Sequence, residues 1–155
     1  MKRALLLIIF FSFFASGCKD NMTKIEAGNA SFAKKVMIAS EKSDFKKDVV
    51  IKAMGALVKD GYFVQVTGLD DLKSADTAQF GAVVILNSCW AGAMDGRVND
   101  FMRDHPDDRN VIIFTTAGDG KWKPDLKVDV ISGASVMETA DSKAQEIVGL
   151  VKKKF

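Results

Sequence analysis

Short, continuously apolar runs alternate along this chain with stretches where apolar residues recur every three or four positions. The runs "KVMIA" (35–39), "YFVQV" (62–66), "GAVVIL" (81–86), "NVIIFTT" (110–116) and "VDVIS" (128–132) have the length and composition of strands. Two of them are apolar throughout, as strands covered on both faces are. Between the first two, Phe45, Val49, Val50, Ala53, Met54, Leu57 and Val58 keep helical spacing, with Ser43 placed as N-cap and Gly61 just past the end. Val98, Phe101 and Met102 mark a second helix, ended by Pro106. Ala140, Ala144, Ile147, Val148 and Val151 line a last helix, which closes on basic residues 152–154. The connection 70–79 has room for a turn or two of helix. The connection 116–127, with Gly118, Gly120 and Pro124, has no full helix.

Strands alternating with helices predict parallel β-α-β units with right-handed crossovers. Five such strands give an α/β domain, a three-layer doubly wound sheet of order 2-1-3-4-5. In such sheets ligands bind outside the carboxyl ends of the strands, where the winding reverses. Loops 40–44, 87–96 and 116–122 therefore face the expected site.

The N-terminus sets the compartment. Lys2 and Arg3 precede an apolar stretch (4–14) too short to span a bilayer, and Ala15, Ser16 and Gly17 precede Cys18. This resembles the signal and lipobox of bacterial lipoproteins, with Ala15 in place of the usual leucine. The resemblance implies removal of residues 1–17 and acylation of Cys18 (palmitate or a similar chain). The protein would then be lipid-anchored and extracytoplasmic, on the periplasmic side of the cell membrane or outer membrane. Each buried CH₂ of an acyl chain contributes roughly 0.8 kcal/mol, so several chains anchor stably. The plainer alternative is an ordinary signal peptide cut near Ala15 or Gly17.

Removing the signal changes the charge. Lys2 and Arg3 account for the whole formal excess of +2, so the mature chain is neutral and gives no support to nucleic-acid binding. Residues 18–34 are polar and aperiodic, and predict a flexible tether to a domain at 35–155. With Cys18 modified, Cys89 is the remaining thiol, and no intrachain disulfide forms.

"FGAVVILNSCWAGAMDGRVNDFM" and "NVIIFTTAGDGKW" resemble the third and fourth strands of flavodoxin-like proteins with their loops. The resemblance extends over the whole folded part, 35–155. It implies an FMN-dependent electron carrier or quinone-type reductase, with a protein or quinone as redox partner. In that family two aromatics sandwich the isoalloxazine ring; Trp90 and Trp122 stand at the matching positions. Residues Asn87, Ser88, Ala91, Gly92, Thr116, Ala117, Gly118 and Asp119 would supply backbone and polar contacts to the ring's edge. A tryptophan stacks well on so flat and polarizable a ring. The bland alternative makes both tryptophans loop anchors.

The family holds the FMN phosphate after its first strand, in hydroxyls and free amides at a helix N-terminus. Here that loop reads "ASEKSDFKK". Ser40 and Ser43 can donate and Lys42 can reach an anion, but the loop has no glycine, and Glu41 and Asp44 repel a phosphate dianion. Three readings stay open: weak FMN binding, a ligand without phosphate, or a binding or scaffold lipoprotein that keeps the fold without flavin. A minor signal, "DVISGAS" (129–135), resembles covalent flavinylation sites of exported proteins, with Ser135 as acceptor. The plainer reading is a turn, with Gly133 supplying an unusual backbone angle. Cys89 reads as a packing residue at a strand end. His105 reads as a favourable charge at a helix C-terminus, and the pairs Asp70, Asp71 and Asp107, Asp108 as solvated turn residues.

Overall fold

The computed structural model describes residues 21–155. The signal segment and Cys18 lie outside the described residues. The elements run β1 (Ile25–Ala27), β2 (Lys35–Ser40), α1 (Asp44–Lys59), β3 (Phe63–Gly68), β4 (Ala82–Ser88), α2 (Gly96–Asp104), β5 (Val111–Thr116), β6 (Asp129–Gly133) and α3 (Ala140–Lys152). The sheet order is β1-β3-β2-β4-β5-β6. All neighbours from β3 to β6 pair in parallel. These are the five strands expected, in the order expected.

The period of two along each strand divides the core. Val36 and Ile38 of β2, Val84 and Leu86 of β4, and Ile112 and Phe114 of β5 point to one face. There they bury against Phe45, Val49, Ala53 and Leu57 of α1 and Ile147 and Val151 of α3. The intervening Met37, Ala39, Val83, Ile85, Val111 and Ile113 point the other way, onto Leu69, Leu72, Val98, Phe101 and Met102. Covering on both faces explains why these strands are apolar at every position. The second face is thin: after β3 the chain makes only two short 3-10 turns, Leu69–Ser74 and Thr77–Gln79, before β4.

Local chemistry sets the ends of α1. The Ser43 side chain accepts from the Lys46 N–H at 3.1 Å, satisfying one orphan donor of the first turn. Gly61, at φ +81, follows the end, where the Gly61 and Tyr62 N–H groups donate to the carbonyls of Val58 and Leu57.

The predicted tether is partly sheet. Ile25–Ala27 adds antiparallel to the open edge of β3, with Ile25 opposite Val66 and Ala27 opposite Val64. Three mostly exposed residues carry no visible period; the strand exists because β3 offers unpaired backbone. Gly28 then turns the chain at φ +87, where a Cβ would run into the Tyr62 carbonyl oxygen. Gly28→Ala is expected to destabilise the domain by about 1–3 kcal/mol. A lowered urea midpoint checks this; an unchanged midpoint means the edge strand contributes nothing.

Candidate functional site

The carboxyl ends of β2, β4 and β5 bring the three expected loops together. The loop after β4 begins with Asn87, which is fully buried. Its side-chain amide donates to Thr115 Oγ1 at 3.1 Å, and its oxygen accepts from the Asp95 N–H at 3.4 Å. The Cys89 N–H donates to the Thr116 carbonyl at 2.7 Å, so the loop is stitched to the neighbouring strand. Trp90 and Ala93 then exchange both backbone hydrogen bonds across Ala91 (φ 50) and Gly92 (φ 78). Two consecutive positive φ values define a tight type I′ turn. Trp90 therefore stands on a rigid support, yet it is 86% exposed.

Beyond the turn, the Asp95 side chain accepts from the Arg97 N–H at 2.9 Å and caps α2. The Arg97 guanidinium reaches Asp95 at 2.7 Å and Asp70 at 2.9 Å. Its hydrogen bond to Asp95 holds that carboxyl below the usual carboxylate range.

Beside Trp90 lies an open groove of about 400 Å³. It is lined by Ser88, Cys89 and Trp90 at the end of β4, Thr116, Ala117 and Gly118 at the end of β5, and Ala134, Ser135 and Val136 after β6. Ser135 is thus at the groove, and it is exposed. Gly133 is not the turn glycine expected. It is the last residue of β6, without positive φ, and its lack of a side chain leaves room for Lys143, whose Cε a Cβ would approach to 3.0 Å. Trp122 is half-buried and does not line the groove. Asp119 accepts from the Lys121 and Trp122 N–H groups, and these bonds hold its carboxyl below the usual range. Asp119 therefore shapes the turn that places Trp122. Cys89 is half-buried, a groove-lining residue rather than a core one.

Between the end of β2 and the start of α1 the chain pairs two buried charges. Lys46, in the first turn of α1, is 1% exposed, and Glu41 is 8% exposed. The Lys46 ammonium lies 2.8 Å from the Glu41 carboxylate, and donates to Thr116 Oγ1 at 2.7 Å and Ser88 Oγ at 3.0 Å. The Glu41 carboxylate also accepts from the Ser88 hydroxyl and, at 3.2 Å, from the Ser88 N–H. A buried charge needs a partner and further hydrogen bonds, and both are present here. The Glu41 carboxylate thus takes up the Lys46 ammonium, and that charge is not left for another anion. Of the other predicted contacts, the Ser40 hydroxyl donates to the Glu41 carbonyl, Ser43 caps the helix, and Lys42 is exposed.

No local sequence pattern marks Lys46 and Glu41 as a pair. Lys46 carried a signal: it stands three and four positions before Val49 and Val50, in phase with the buried stripe. Elsewhere, Asp70 pairs with Arg97, Asp71 with Thr67 and Asp107 with Lys127, while the Asp108 side chain caps the Asn110 N–H. His105 caps α2 and stacks on Phe101 at 4.4 Å. No cluster of three or more metal-ligating side chains occurs among the described residues.

Solved structures resemble this fold. Flavodoxin 2 from Bacillus cereus superposes with a TM-score of 0.55 at 13% identity, over 78% of this chain and 99% of that one. A flavodoxin from the domain Archaea gives 0.51 at 13% identity, over 77% and 98%. A mutant flavo di-iron protein from Thermotoga maritima gives 0.56 at 17% identity, over 83% of this chain; the match spans 36% of that protein. By sequence, no family model and no curated protein matches the chain. The domain has the flavodoxin-like fold.

FMN, which the resemblance implies, fits this site in part. The ring half finds a platform in Trp90 and a groove walled by three loops. The phosphate half would meet a spent cation: Lys46, in the first turn of α1, is buried against the Glu41 carboxylate, and that carboxylate would repel a phosphate.

Proposed function

We propose that this chain is an extracytoplasmic lipoprotein, anchored through acylated Cys18. Its flavodoxin-like domain holds a flat redox-active ring, a flavin or quinone, on Trp90 for electron transfer at a membrane surface. The observation that carries the proposal is Trp90, a large indole left exposed on a two-residue turn over the groove at the carboxyl ends of β4, β5 and β6. Exposed apolar surface on a rigid support is a binding feature more than a packing one. The ring brings its own redox chemistry; the protein contributes position and surroundings. The Glu41–Lys46 pair favours ligands held by the ring alone, so an FMN phosphate would project into solvent. The redox partner is a protein or a membrane quinone.

Titrating the protein into riboflavin tests this. Stacking on Trp90 is expected to quench the flavin's fluorescence, and Trp90→Ala to weaken binding about tenfold, the equivalent of one good aromatic stack. Trp122→Ala is expected to change affinity far less, since Trp122 stands outside the groove. Failure of both riboflavin and a soluble quinone to bind contradicts the proposal. It leaves a scaffold or binding lipoprotein that has closed its switch point with its own carboxylate.

A further inference from the structure

We propose that the carboxyl end of the sheet, with its groove and Trp90, is the surface by which this domain lies on the bilayer. The inference rests on the Cys18 anchor proposed above, and adds the orientation of the domain and the side from which a ring ligand enters.

The first observation is where the tether meets the domain. Asn21 pairs antiparallel with Glu41, in the loop after β2, and the Met22 N–H donates to the Ser40 carbonyl at 3.3 Å. Asn21 also packs over Gly68 at the end of β3, and its side-chain oxygen accepts from Arg97 at 3.0 Å. All of these partners belong to the carboxyl end. Cys18 is three residues earlier, and three residues of chain reach at most roughly 10 Å. The acyl chains must therefore enter the membrane within that distance of the site-bearing end. The opposite end, where Phe155 packs on Tyr62, lies a full strand length further away.

The second observation is what this end presents. Three of its large apolar residues are exposed: Trp90 (86%), Val136 (43%) and Met137 (49%). Trp90 and Val136 share the groove, and Met137 follows Val136 in the chain. Tryptophan is favoured at the headgroup level of a bilayer, where its ring is part apolar and part polar. Lys42, Lys121 and Lys123 are exposed in the bordering loops, together with Asp44, Asp119 and Glu138, so the rim stays near neutral. The strongest charges at this end are already paired within the protein: Glu41 with Lys46, and Arg97 with Asp95 and Asp70. Contact with the interface therefore desolvates few unpaired charges. Anchored at one point, the domain would otherwise swing; the Trp90 edge supplies a second contact, and the groove then opens onto the lipid–water interface.

The test uses the full chain purified from membranes, its mass confirming lipid on Cys18. It is reconstituted in phosphatidylethanolamine/phosphatidylglycerol vesicles that carry a headgroup spin label. Trp122→Phe leaves Trp90 as the single tryptophan. The far-end control adds Phe155→Trp to the Trp122→Phe chain, and the signal of residue 155 is taken as the difference between the two chains, so that Trp90 stays in place. Spin-label quenching of Trp90 is expected to exceed that of the residue-155 probe at least about threefold, given tryptophan's preference for the interface. Equal quenching of the two, with Trp90 still open to aqueous acrylamide, overturns the docking while leaving the anchor in place. Absence of lipid on Cys18 overturns the anchor and the docking together.

Discussion

Replacing Glu41 with alanine is expected to cost the domain about 3–5 kcal/mol, the usual result of removing one partner from a buried ion pair. Lys46 would keep hydrogen bonds to Ser88 and Thr116, but its charge would sit 1% exposed without a counter-ion. For a domain of this size the loss corresponds to roughly 10–20 °C in Tm. Lys46→Met should cost a similar amount, since it leaves the carboxylate with only Ser88. The pair Glu41→Leu with Lys46→Met should recover much of the loss, because an apolar pair of similar volume is often neutral or stabilising. Urea unfolding of the two single variants and the double checks the cycle. Single losses below about 1 kcal/mol would place the pair in solvent-like surroundings.

Phe114→Ala carries the other large expected effect, about 3–5 kcal/mol, as for other buried phenylalanines cut to alanine. Phe114 is fully buried in β5, on the face covered by α1 and α3. It meets the Phe45 ring edge-on at 6.2 Å between centroids. Truncation removes the contact between the sheet and the start of α1, the turn that carries Lys46. A milder Phe114→Leu should lose well under half as much. The check is the urea midpoint at unchanged m-value. A loss below about 1.5 kcal/mol for the alanine would mean that the interior collapses around the gap.

Much of the fold was legible because a doubly covered parallel sheet writes itself as unbroken apolar runs. Strands β2 to β6 fall within one or two residues of the runs that predicted them, and the short 69–79 and open 117–128 connections are as expected. Strand β1 was not legible: Ile25–Ala27 is short and exposed, and pairs because β3 has a free edge, a fact outside its own sequence. The loop after β4 was legible as the switch-point loop, since an aromatic and small residues follow directly on a strand. What the sequence hid was the closure of the neighbouring loop. Glu41 was recognised as an obstacle to phosphate, but its partners stand 5, 47 and 75 positions away at Lys46, Ser88 and, through Lys46, Thr116. Such distances leave no local pattern. Trp122 escaped for a similar reason, its place being set by hydrogen bonds to Asp119 rather than by a period.

The central claim is that Trp90 holds a ring while the Glu41–Lys46 pair leaves the phosphate no cation at the start of α1. Side-by-side titration with riboflavin and FMN, read by flavin fluorescence, measures both halves of that claim. Equal affinities within about threefold, less than one charge-assisted hydrogen bond provides, are the result expected. FMN binding tighter by tenfold or more would show that the phosphate is held at the α1 terminus after all, and would contradict the account.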